Sequence, residues 1–395
     1  MTSCIRCEKL PSMAFAMLLQ VLLRSPADDA AGLGFIAAAP LRARERFGSF
    51  VSLATHQCFG SASAEVELMD SLTVERAQQL LEGCRGRRIA VVGDVMVDRY
   101  FWGSVTRISP EAPVPIVDFE EEQCRLGGAA NVAHNLAMLG VRPLLVGVVG
   151  QDAAAEILLE LLRQLGLETA GVLPDPKRPT TEKIRILGNR QHLLRLDREV
   201  RTPVNSTITT RVLELLEAAE DVEALIFQDY NKGMLTPELI AKVIELMRRR
   251  GVPVFVDPKE ENFFAYRGAT LFKPNRREAA AALRQPLRTR EQLVAAAQQL
   301  QQELACQAVL ITLGEEGMLL WESERATFIP TRARHVADVS GAGDTVIATV
   351  AAAVIAGATL LEAAALANIA AGVVCAEPGV VPITSQALLE AVVQA

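Results

Sequence analysis

Hydrophobic residues occur in short continuous runs from Arg88 onward, and longer segments with helical spacing separate these runs. Continuous rather than alternating apolar runs are typical of parallel strands that are covered on both faces. The predicted strands are Ile89–Val92, Leu144–Val149, Ala224–Phe227, Val252–Val256, Thr270–Phe272 and Ala308–Thr312. The predicted helices are Ala129–Leu139, Ala153–Leu165, Ile208–Ala219, Pro237–Arg249, Glu291–Ala305, Ala342–Ile355, Leu361–Cys375 and Ser385–Val393. Strands that alternate with helices predict an α/β fold built on a doubly wound central sheet.

Two segments interrupt this alternation. About 35 residues separate the first predicted strand from the helix at Ala129, whereas a loop of this kind usually has about 2–6 residues. The second segment, Thr180–Leu196, alternates with period two around Gly188-Asn189, and this pattern predicts a β-hairpin with one apolar and one charged face. We therefore expect a small β lid, inserted into the α/β domain from about 99–125 and 180–197.

Residues 1–68 differ from the rest of the chain. Their acidic and basic residues balance, and the short apolar run Met13–Leu23 follows two basic residues. Such a run is compatible with the core of a signal peptide, but no clear cleavage site follows it. We favour a dispensable extension, either disordered or wrongly assigned as coding sequence, followed by the folded domain over residues 69–395.

Composition excludes several classes of protein. The 395-residue chain has a formal net charge of −7, and half of its residues are hydrophobic. This apolar fraction excludes a disordered chain, and the acidity argues against a protein that binds nucleic acid through phosphate neutralisation. No run approaches the about 18 uninterrupted apolar residues of a membrane-spanning helix. The seven cysteines and four histidines are scattered without the spacing of a zinc site, which favours a reducing compartment, the cytoplasm.

The segment Asp338-Val-Ser-Gly-Ala-Gly-Asp344-Thr opens a predicted helix. Glycines at 341 and 343 allow backbone N–H groups to converge at the positive end of the helix dipole, where they stabilise charge on a phosphoryl group in transfer. Asp344 lies in the first turn, where its carboxylate can take a proton from an attacking hydroxyl. The alternative is an ordinary capping aspartate after a flexible loop.

Two further motifs are suited to sugar hydroxyls. Gly127-Gly-Ala-Ala-Asn131 starts a helix, where paired glycines admit a ligand close to the backbone and Asn131 offers both a donor and an acceptor. Asp94 and Asp98 follow the first strand, at the carboxyl end where α/β sheets bind ligands. The alternatives are tight helix–sheet packing for the glycines and a pair of surface carboxylates for the aspartates.

Polar residues also follow later strands. Asp257-Pro-Lys259 follows one strand, and Asn275-Arg-Arg-Glu278 follows the next at a helix start, where Glu278 can hold Mg²⁺ through water. The segment Thr312–Gly317 joins two strands as a nucleotide-lining turn would. The alternatives are a capping box and a plain tight turn. No lysine-bearing phosphate loop of the Walker type is present. In combination, these loops predict direct transfer of a phosphoryl group to a hydroxyl.

Gly127-Gly-Ala-Ala-Asn131 and Asp338-Val-Ser-Gly-Ala-Gly-Asp344-Thr, in this order, resemble the two signatures of the ribokinase-like (PfkB) carbohydrate kinases, and the resemblance covers about residues 85–390. It implies that Asp344 is the catalytic base, that Gly341, Ala342 and Gly343 form the anion hole, and that the cofactors are ATP and Mg²⁺, with K⁺ or another monovalent cation near Asp338. The nucleotide-binding residues it implies are Asn275, Arg276, Arg277, Glu278, Thr312, Gly314, Gly317 and Asn368.

A narrower resemblance, to the heptose 7-phosphate kinases of that family, is carried by Gly93–Tyr100, Arg107–Pro115, Thr181–Arg185, Arg195–Asp197 and Asp229–Gly233. It implies phosphorylation of the anomeric hydroxyl of D-glycero-D-manno-heptose 7-phosphate, a step towards ADP-heptose for lipopolysaccharide core. The substrate-binding residues it implies are Asp94, Asp98, Arg107, Gly127, Gly128, Asn131, Lys183, Arg185, Arg195, Asp257 and Lys259. With Arg190, the cationic side chains of the lid hairpin fit a clamp for the sugar phosphate. The alternative is a solvated charged strand face.

The chain also departs from this pattern. Gln228 replaces a smaller residue, and Ser340 stands where threonine is common. The nucleotidyltransferase domain of bifunctional relatives does not follow the kinase part, so we expect a separate adenylyltransferase. The resemblance also implies a homodimer through the lid. Two other functions remain open: a kinase for another sugar or a nucleoside, and a non-catalytic sensor that retains the kinase fold.

Overall fold

The computed structural model describes residues 72–189, 191–331 and 336–394. The expectations for residues 1–68 and for Arg190 lie outside these ranges. The strands are β1 (Arg88–Gly93), β2 (Val95–Ile108), β3 (Pro115–Gly128), β4 (Arg142–Val149), β5 (Val172–Pro174), β6 (Thr181–Gly188), β7 (Gln191–Arg198), β8 (Val222–Gln228), β9 (Val254–Asp257), β10 (Leu271–Phe272), β11 (Ala308–Thr312), β12 (Met318–Glu322) and β13 (Arg325–Ile329). The helices are α1 (Val74–Gly83), α2 (Ala129–Met138), α3 (Ala153–Gln164), α4 (Ser206–Ala218), α5 (Pro237–Arg250), α6 (Arg276–Leu283), α7 (Arg290–Leu304), α8 (Ala342–Ile355), α9 (Leu360–Cys375) and α10 (Ser385–Val393).

The central sheet of the described residues has nine strands in the order β13-β12-β11-β10-β9-β8-β1-β4-β5. All neighbours from β11 to β5 are parallel, whereas β12 and β13 are antiparallel additions at one edge. The turn Gly314–Glu316 between β11 and β12 is too short for the crossover that a parallel pair requires. The predicted α/β fold is confirmed, with this antiparallel edge added to the parallel sheet.

Helices cover both faces of the sheet. Ile89 and Val91 of β1 belong to one buried apolar cluster, which also contains residues of α2, α8 and α9. Ala90 and Val92 belong to a second cluster, with residues of α4, α5 and α7. Because successive side chains of a strand point to opposite faces, a continuous apolar run places alternate residues in two separate cores. This explains why the central strands are apolar throughout.

A second, smaller sheet forms the lid, with the order β3-β2-β6-β7 among the described residues. Its strands β2 and β3 pair from Val95 opposite Gly128 outward to Ile108 opposite Pro115. The lid strands therefore extend beyond the expected limits of 99 and 125. The reason is that the β2–β3 ladder begins directly after β1, at the carboxyl edge of the central sheet. The lid base and the ends of β1 and β8 consequently share one edge.

Candidate active site

The turn before α8 places the N-terminus of this helix close to the glycine-rich motif at the start of α2. Gly341 has a φ of 82°, a left-handed conformation that favours glycine. A Cβ atom there would lie 3.1 Å from Asn131 Nδ2 and 3.1 Å from Val380 Cγ1. The N–H of Ala342 donates to the carbonyl of Val339 at 3.3 Å, so this member of the expected anion hole is engaged within the turn.

Asp344 lies in the first turn of α8 and is buried. Its Oδ2 accepts a hydrogen bond from Asn131 Nδ2 at 2.8 Å. Its Oδ1 accepts hydrogen bonds from Tyr230 Oη and Gln228 Nε2, each at 2.9 Å. Burial raises the pKa of Asp344 to about 6, and the charge of Asp257 acts in the same direction, whereas the donors from Asn131 and Tyr230 oppose the shift. Above this pH the carboxyl is an oriented proton acceptor.

The two glycine-rich motifs meet in the structure through Asn131 and Asp344. Asn135, one turn further along α2, supports this contact: its Nδ2 donates to the carbonyl of Asn131 at 2.9 Å, and its Oδ1 accepts from Thr345 Oγ1 at 3.0 Å. Gly127 has a different role, because a Cβ atom there would lie 2.3 Å from Asp98 Oδ2. At Gly128 the corresponding distance, to the carbonyl of Asp94, is also 2.3 Å. Close packing of β3 against β2 therefore accounts for the paired glycines.

Asp94 and Asp98 both have partners within the chain. The carboxylate of Asp94 accepts backbone N–H groups of Tyr230 at 2.8 Å, Lys232 at 3.0 Å and Met234 at 3.2 Å. Burial, together with the charge of Asp229, raises the pKa of Asp94 to about 6. Asp98 forms an ion pair with Arg185 of β6. Asp94 thus holds the loop that carries Tyr230, and a role for either aspartate in sugar binding stays a prediction.

Two ammonium groups lie over the ring of Tyr230. Lys183 Nζ is 4.8 Å and Lys259 Nζ is 5.4 Å from the ring centroid. Burial lowers the pKa of Lys183, and the neighbouring cations Lys232 and Arg185 act in the same direction. Burial also disfavours the charge of Lys259, but Asp257 and Glu278 outweigh it and raise the pKa of Lys259. The ring therefore lies between Asp344 and two lysines, one on lid strand β6 and one in the loop after β9.

A cavity of about 770 Å³ opens from Asp344 along the carboxyl edge of the sheet. This volume is typical of a small-molecule site. Of the predicted residues, the wall contains Asp257, Lys259, Asn275, Arg276, Arg277, Thr312, Gly314, Gly317, Gly341, Ala342, Gly343, Asp344 and Asn368. Asn368 Nδ2 donates to the carbonyl of Pro330 at 2.6 Å, so its carboxamide also holds the segment after β13. The loops that follow β9, β10 and β11 therefore form one wall with the turn before α8.

This wall does not include nine of the predicted substrate residues: Asp94, Asp98, Arg107, Gly127, Gly128, Asn131, Lys183, Arg185 and Arg195. Two of these are exposed on the lid. Arg107 is exposed, with its guanidinium 4.0 Å from Asp118, and it is nine residues along β2 from Asp98. At about 3.3 Å per residue, this corresponds to about 30 Å of strand. Arg195 is exposed and pairs with Asp197 at 2.9 Å. It lies opposite Arg185 in the β6–β7 ladder, on the same face of the lid.

The environment of Glu278 bears on the expected metal site. Its Oε2 accepts the backbone N–H of Asn275 at 2.8 Å, and its other oxygen pairs with Lys259. Asn275 and Glu278 form a complete capping box at the start of α6. In the part of the chain that the structure describes, no three acidic, histidine or cysteine side chains group as metal ligands. These residues fit a metal held by bound phosphates and water rather than a direct protein cage.

Sequence reasoning did not assign a role to Gln228, Tyr230, Lys232 or Lys273. Lys273 Nζ lies 3.0 Å from Asp257 Oδ2, and Lys232 Nζ lies 2.6 Å from Glu199 Oε2. Their positions along the sequence could have identified two of these residues as site candidates. Gln228 ends β8 and Lys273 directly follows β10, at the ligand-binding edge of the sheet.

The profile of the family described as pfkB family carbohydrate kinase matches residues 87–386. The chain belongs to the pfkB family of carbohydrate kinases. This match includes the lid, both glycine-rich motifs and the cavity wall that contains Asp344. No helix of the described ranges is both long and apolar enough to cross a membrane.

Relatives of the chain include proteins that are named as bifunctional. The bifunctional protein HldE of Geobacter sulfurreducens is 44% identical over 291 residues, which is 73% of this chain and 59% of that protein. HldE of Pelobacter propionicus is 41% identical over 326 residues, which is 82% of this chain and 66% of that protein. The chain therefore spans less than two thirds of the length of either relative.

Solved structures show the same fold at lower identity. Phosphofructokinase-2 from Escherichia coli in complex with potassium superposes with a TM-score of 0.65 at 18% identity, covering 78% of this chain and 99% of that one. Ribokinase of Arabidopsis thaliana complexed with ribose and ATP gives 0.62 at 21% identity, covering 78% and 99%. The ribokinase-like fold expected from the sequence is confirmed.

Proposed function

We propose that this protein transfers the terminal phosphoryl group of ATP to the anomeric hydroxyl of D-glycero-D-manno-heptose 7-phosphate, giving the 1,7-bisphosphate. The observation that carries the proposal is the Asp344 carboxylate, buried at the N-terminus of α8 and bordering the cavity. Family membership supports the reaction class, and the HldE relatives and the resemblance to heptose 7-phosphate kinases support the sugar. The product then serves ADP-heptose formation for lipopolysaccharide core, in the cytoplasm.

In the proposed reaction, Asp344 accepts the proton of the sugar hydroxyl as its oxygen bonds to the terminal phosphorus. The bond between that phosphorus and the leaving ADP oxygen breaks. Backbone N–H groups of Gly343 and Asp344, in the first turn of α8, face the charge that builds on the phosphoryl oxygens. Placing base and anion site on one helix turn fixes their relative orientation, which is the main catalytic requirement of phosphoryl transfer.

Lys183 and Arg185 are the proposed partners of the substrate 7-phosphate. They are two residues apart on β6, so both side chains point to the same face of the lid. Lys232 adds a third positive charge close enough to lower the pKa of Lys183. Arg185 is paired with Asp98 and Lys232 with Glu199, whereas Lys183 lies over the ring of Tyr230, and this cluster of cations favours a dianionic phosphate over a neutral sugar.

When bound, Mg²⁺ on the nucleotide phosphates would neutralise charge there, and Glu278 would contact it through water. The proposed site of a monovalent cation such as K⁺ is the segment at Asp338. The carboxylate of Asp338 accepts the N–H of Ser340 at 2.9 Å and of Gly379 at 3.1 Å. The exposed lid residues Phe119, Leu194 and Leu196 support a homodimer through the lid.

The test is ADP release by the full chain with Mg²⁺ and ATP, across heptose 7-phosphate, fructose 6-phosphate, fructose and ribose. Turnover confined to the heptose phosphate is expected, with Asp344→Asn as the inactive control. Equal turnover of a neutral sugar would retain the mechanism and overturn the heptose assignment. ATP binding without turnover of any sugar would favour a sensor.

A further inference from the structure

Gln228 is the last residue of β8, and neighbouring strands fix its backbone from both sides. It pairs with Gly93 of β1 on one side and with Asp257 of β9 on the other. A Cβ atom at Gly93 would lie 2.0 Å from the carbonyl oxygen of Gln228, so only glycine permits this approach of the strands. The Gln228 side chain therefore extends from a rigid central strand into the space beneath Asp344.

The carboxamide of Gln228 bridges two carboxylates. Its Nε2 donates to Asp344 Oδ1 at 2.9 Å and to Asp257 Oδ2 at 3.2 Å. The opposite orientation would direct an amide oxygen at two carboxylate oxygens, so chemistry determines which atom is nitrogen. The Oε1 atom is buried and has no hydrogen-bond partner among the described residues. A buried carbonyl without a partner costs free energy, and the two bonds of Nε2 to charged acceptors offset that cost.

The pattern of donors distinguishes the two oxygens of Asp344. A carboxylate oxygen accepts about two hydrogen bonds through its lone pairs. Gln228 and Tyr230 already supply two to Oδ1. Oδ2 accepts a single bond from Asn131 within the described part of the chain, so one of its lone pairs remains for an incoming proton.

We propose that Gln228 is a positioning residue which, together with Tyr230, occupies Oδ1 of Asp344 and thereby makes Oδ2 the atom that accepts the proton of the sugar hydroxyl. This inference rests on the proposed function. The O–H bond of the sugar breaks, the proton moves to Oδ2, and the sugar oxygen forms the new bond to phosphorus. The bond from that phosphorus to the ADP oxygen breaks, and ADP leaves with its electron pair. Gln228 exchanges no proton and acts only through Asp344.

The same bridge affects the ionisation of the base. The charged groups around Asp344 are Asp257 at the end of β9, Lys259 in the loop after β9 and Lys273 directly after β10, and the neutral Tyr230 phenol is a further titratable group there. A neutral donor between Asp344 and Asp257 stabilises both ionised carboxylates. Removal of this donor is expected to raise the pKa of Asp344, because a hydrogen bond to the charged form favours that form.

The test compares Gln228→Met, Gln228→Glu and Thr349→Val with the wild-type full chain. Methionine retains the side-chain volume and removes both donors, whereas glutamate adds a third carboxyl group. Thr349 lies on α8 and its buried hydroxyl is without a partner in the described ranges, which makes Thr349→Val the matched control. The measurements are kcat and KM for ATP and sugar from pH 5 to 9, together with the melting temperature.

For Gln228→Met we expect kcat about tenfold lower at pH 8, because the base is misoriented, with KM for ATP unchanged. The acid limb of its pH profile should move upward, and that of Gln228→Glu further upward. Thr349→Val should match the wild type. A merely structural role would lower the melting temperature and leave kcat per folded molecule and the acid limb unchanged, which would overturn the proposal.

Wild-type turnover in the same assay tests the proposed function separately. If no sugar is turned over, the ionisation of Asp344 is followed by ¹³C NMR of labelled aspartate carboxyls, assigned with Asp344→Asn. A higher pKa of Asp344 in Gln228→Met supports the bridge without any substrate. An unchanged pKa contradicts it.

Discussion

The sheet edge around Asp344 and the outer part of the lid both contain several charged groups, but they use them differently. At the sheet edge, Asp344, Asp257 and Lys273 are buried, and each has specific partners. On the outer lid, Arg107 and Arg195 pair with aspartates in solvent. Exposed pairs contribute little free energy, whereas burial raises the pKa of the Asp344 carboxyl and its hydrogen bonds fix its orientation. Catalytic chemistry is therefore expected at the sheet edge, where the base of the lid meets it.

The largest effect is expected for substitution of the proposed base, Asp344. Asp344→Asn should lower kcat by about 10²–10⁴, since a general base is lost, while ATP affinity stays close to wild type. ADP release measures the first quantity and calorimetric titration of ATP the second. A wild-type kcat in this variant would remove Asp344 from the role of base.

The next prediction concerns the inner part of the lid. Lys183→Met should raise KM for heptose 7-phosphate by about 10–100-fold, because a charge-assisted bond to phosphate is lost, with kcat little changed. Lys242→Met is the matched control, since Lys242 is an exposed lysine of α5 paired with Glu238. Equal KM values in the two variants would exclude Lys183 from the phosphate clamp.

The pH profile examines the buried base directly. Burial raises the pKa of Asp344 to about 6, and the protonated carboxyl accepts no proton. The rate should therefore be constant above this pH and fall about tenfold per unit below it. The second ionisation of a sugar phosphate also lies near pH 6. We therefore measure the acid limb of kcat with saturating sugar phosphate, which reduces the effect of substrate ionisation on the profile. A flat profile to pH 5 would contradict a base of this kind.

Asp94 serves as a structural counterpart of Asp344. Both carboxyls are buried with a pKa near 6, but Asp94 accepts three backbone N–H groups instead of side-chain donors. Asp94→Asn should lower the free energy of unfolding by about 1–3 kcal/mol, because asparagine keeps only one of the two oxygens and its NH₂ group faces at least one buried backbone donor. Denaturant unfolding measures this loss, with the exposed Asp118→Asn as the control. Equal stabilities would argue that the loop at 230–234 does not depend on Asp94.

The smallest effect is expected on the outer lid. Arg195→Ala breaks an exposed pair with Asp197, and such pairs contribute about 0–1 kcal/mol. KM for the sugar phosphate should change by less than about fivefold. A rise as large as that expected for Lys183→Met would instead place Arg195 in the clamp.

Local patterns predicted much of the fold. The helices Ala342–Ile355 and Ser385–Val393 occur with the expected bounds, and the apolar runs mark the central strands. These signals depend on residue spacing within one element, which the covalent chain determines. The lid limits were less accurate because the β2–β3 ladder continues to Val95 and Gly128, where apolar burial hides the alternation.

The amino-acid sequence alone determined the fold class, the order of the loops at the strand ends and the helix start that carries Asp344. Tertiary structure decided which groups surround each carboxylate, including Asp344. The three donors to Asp344 are 213, 116 and 114 residues away along the chain, so no local pattern identifies them. Asp94 and Asp98 looked equally suited to chemistry until packing gave each an internal partner. Hydrogen-bond partners depend on which elements pack together, and that arrangement is a property of the folded chain as a whole.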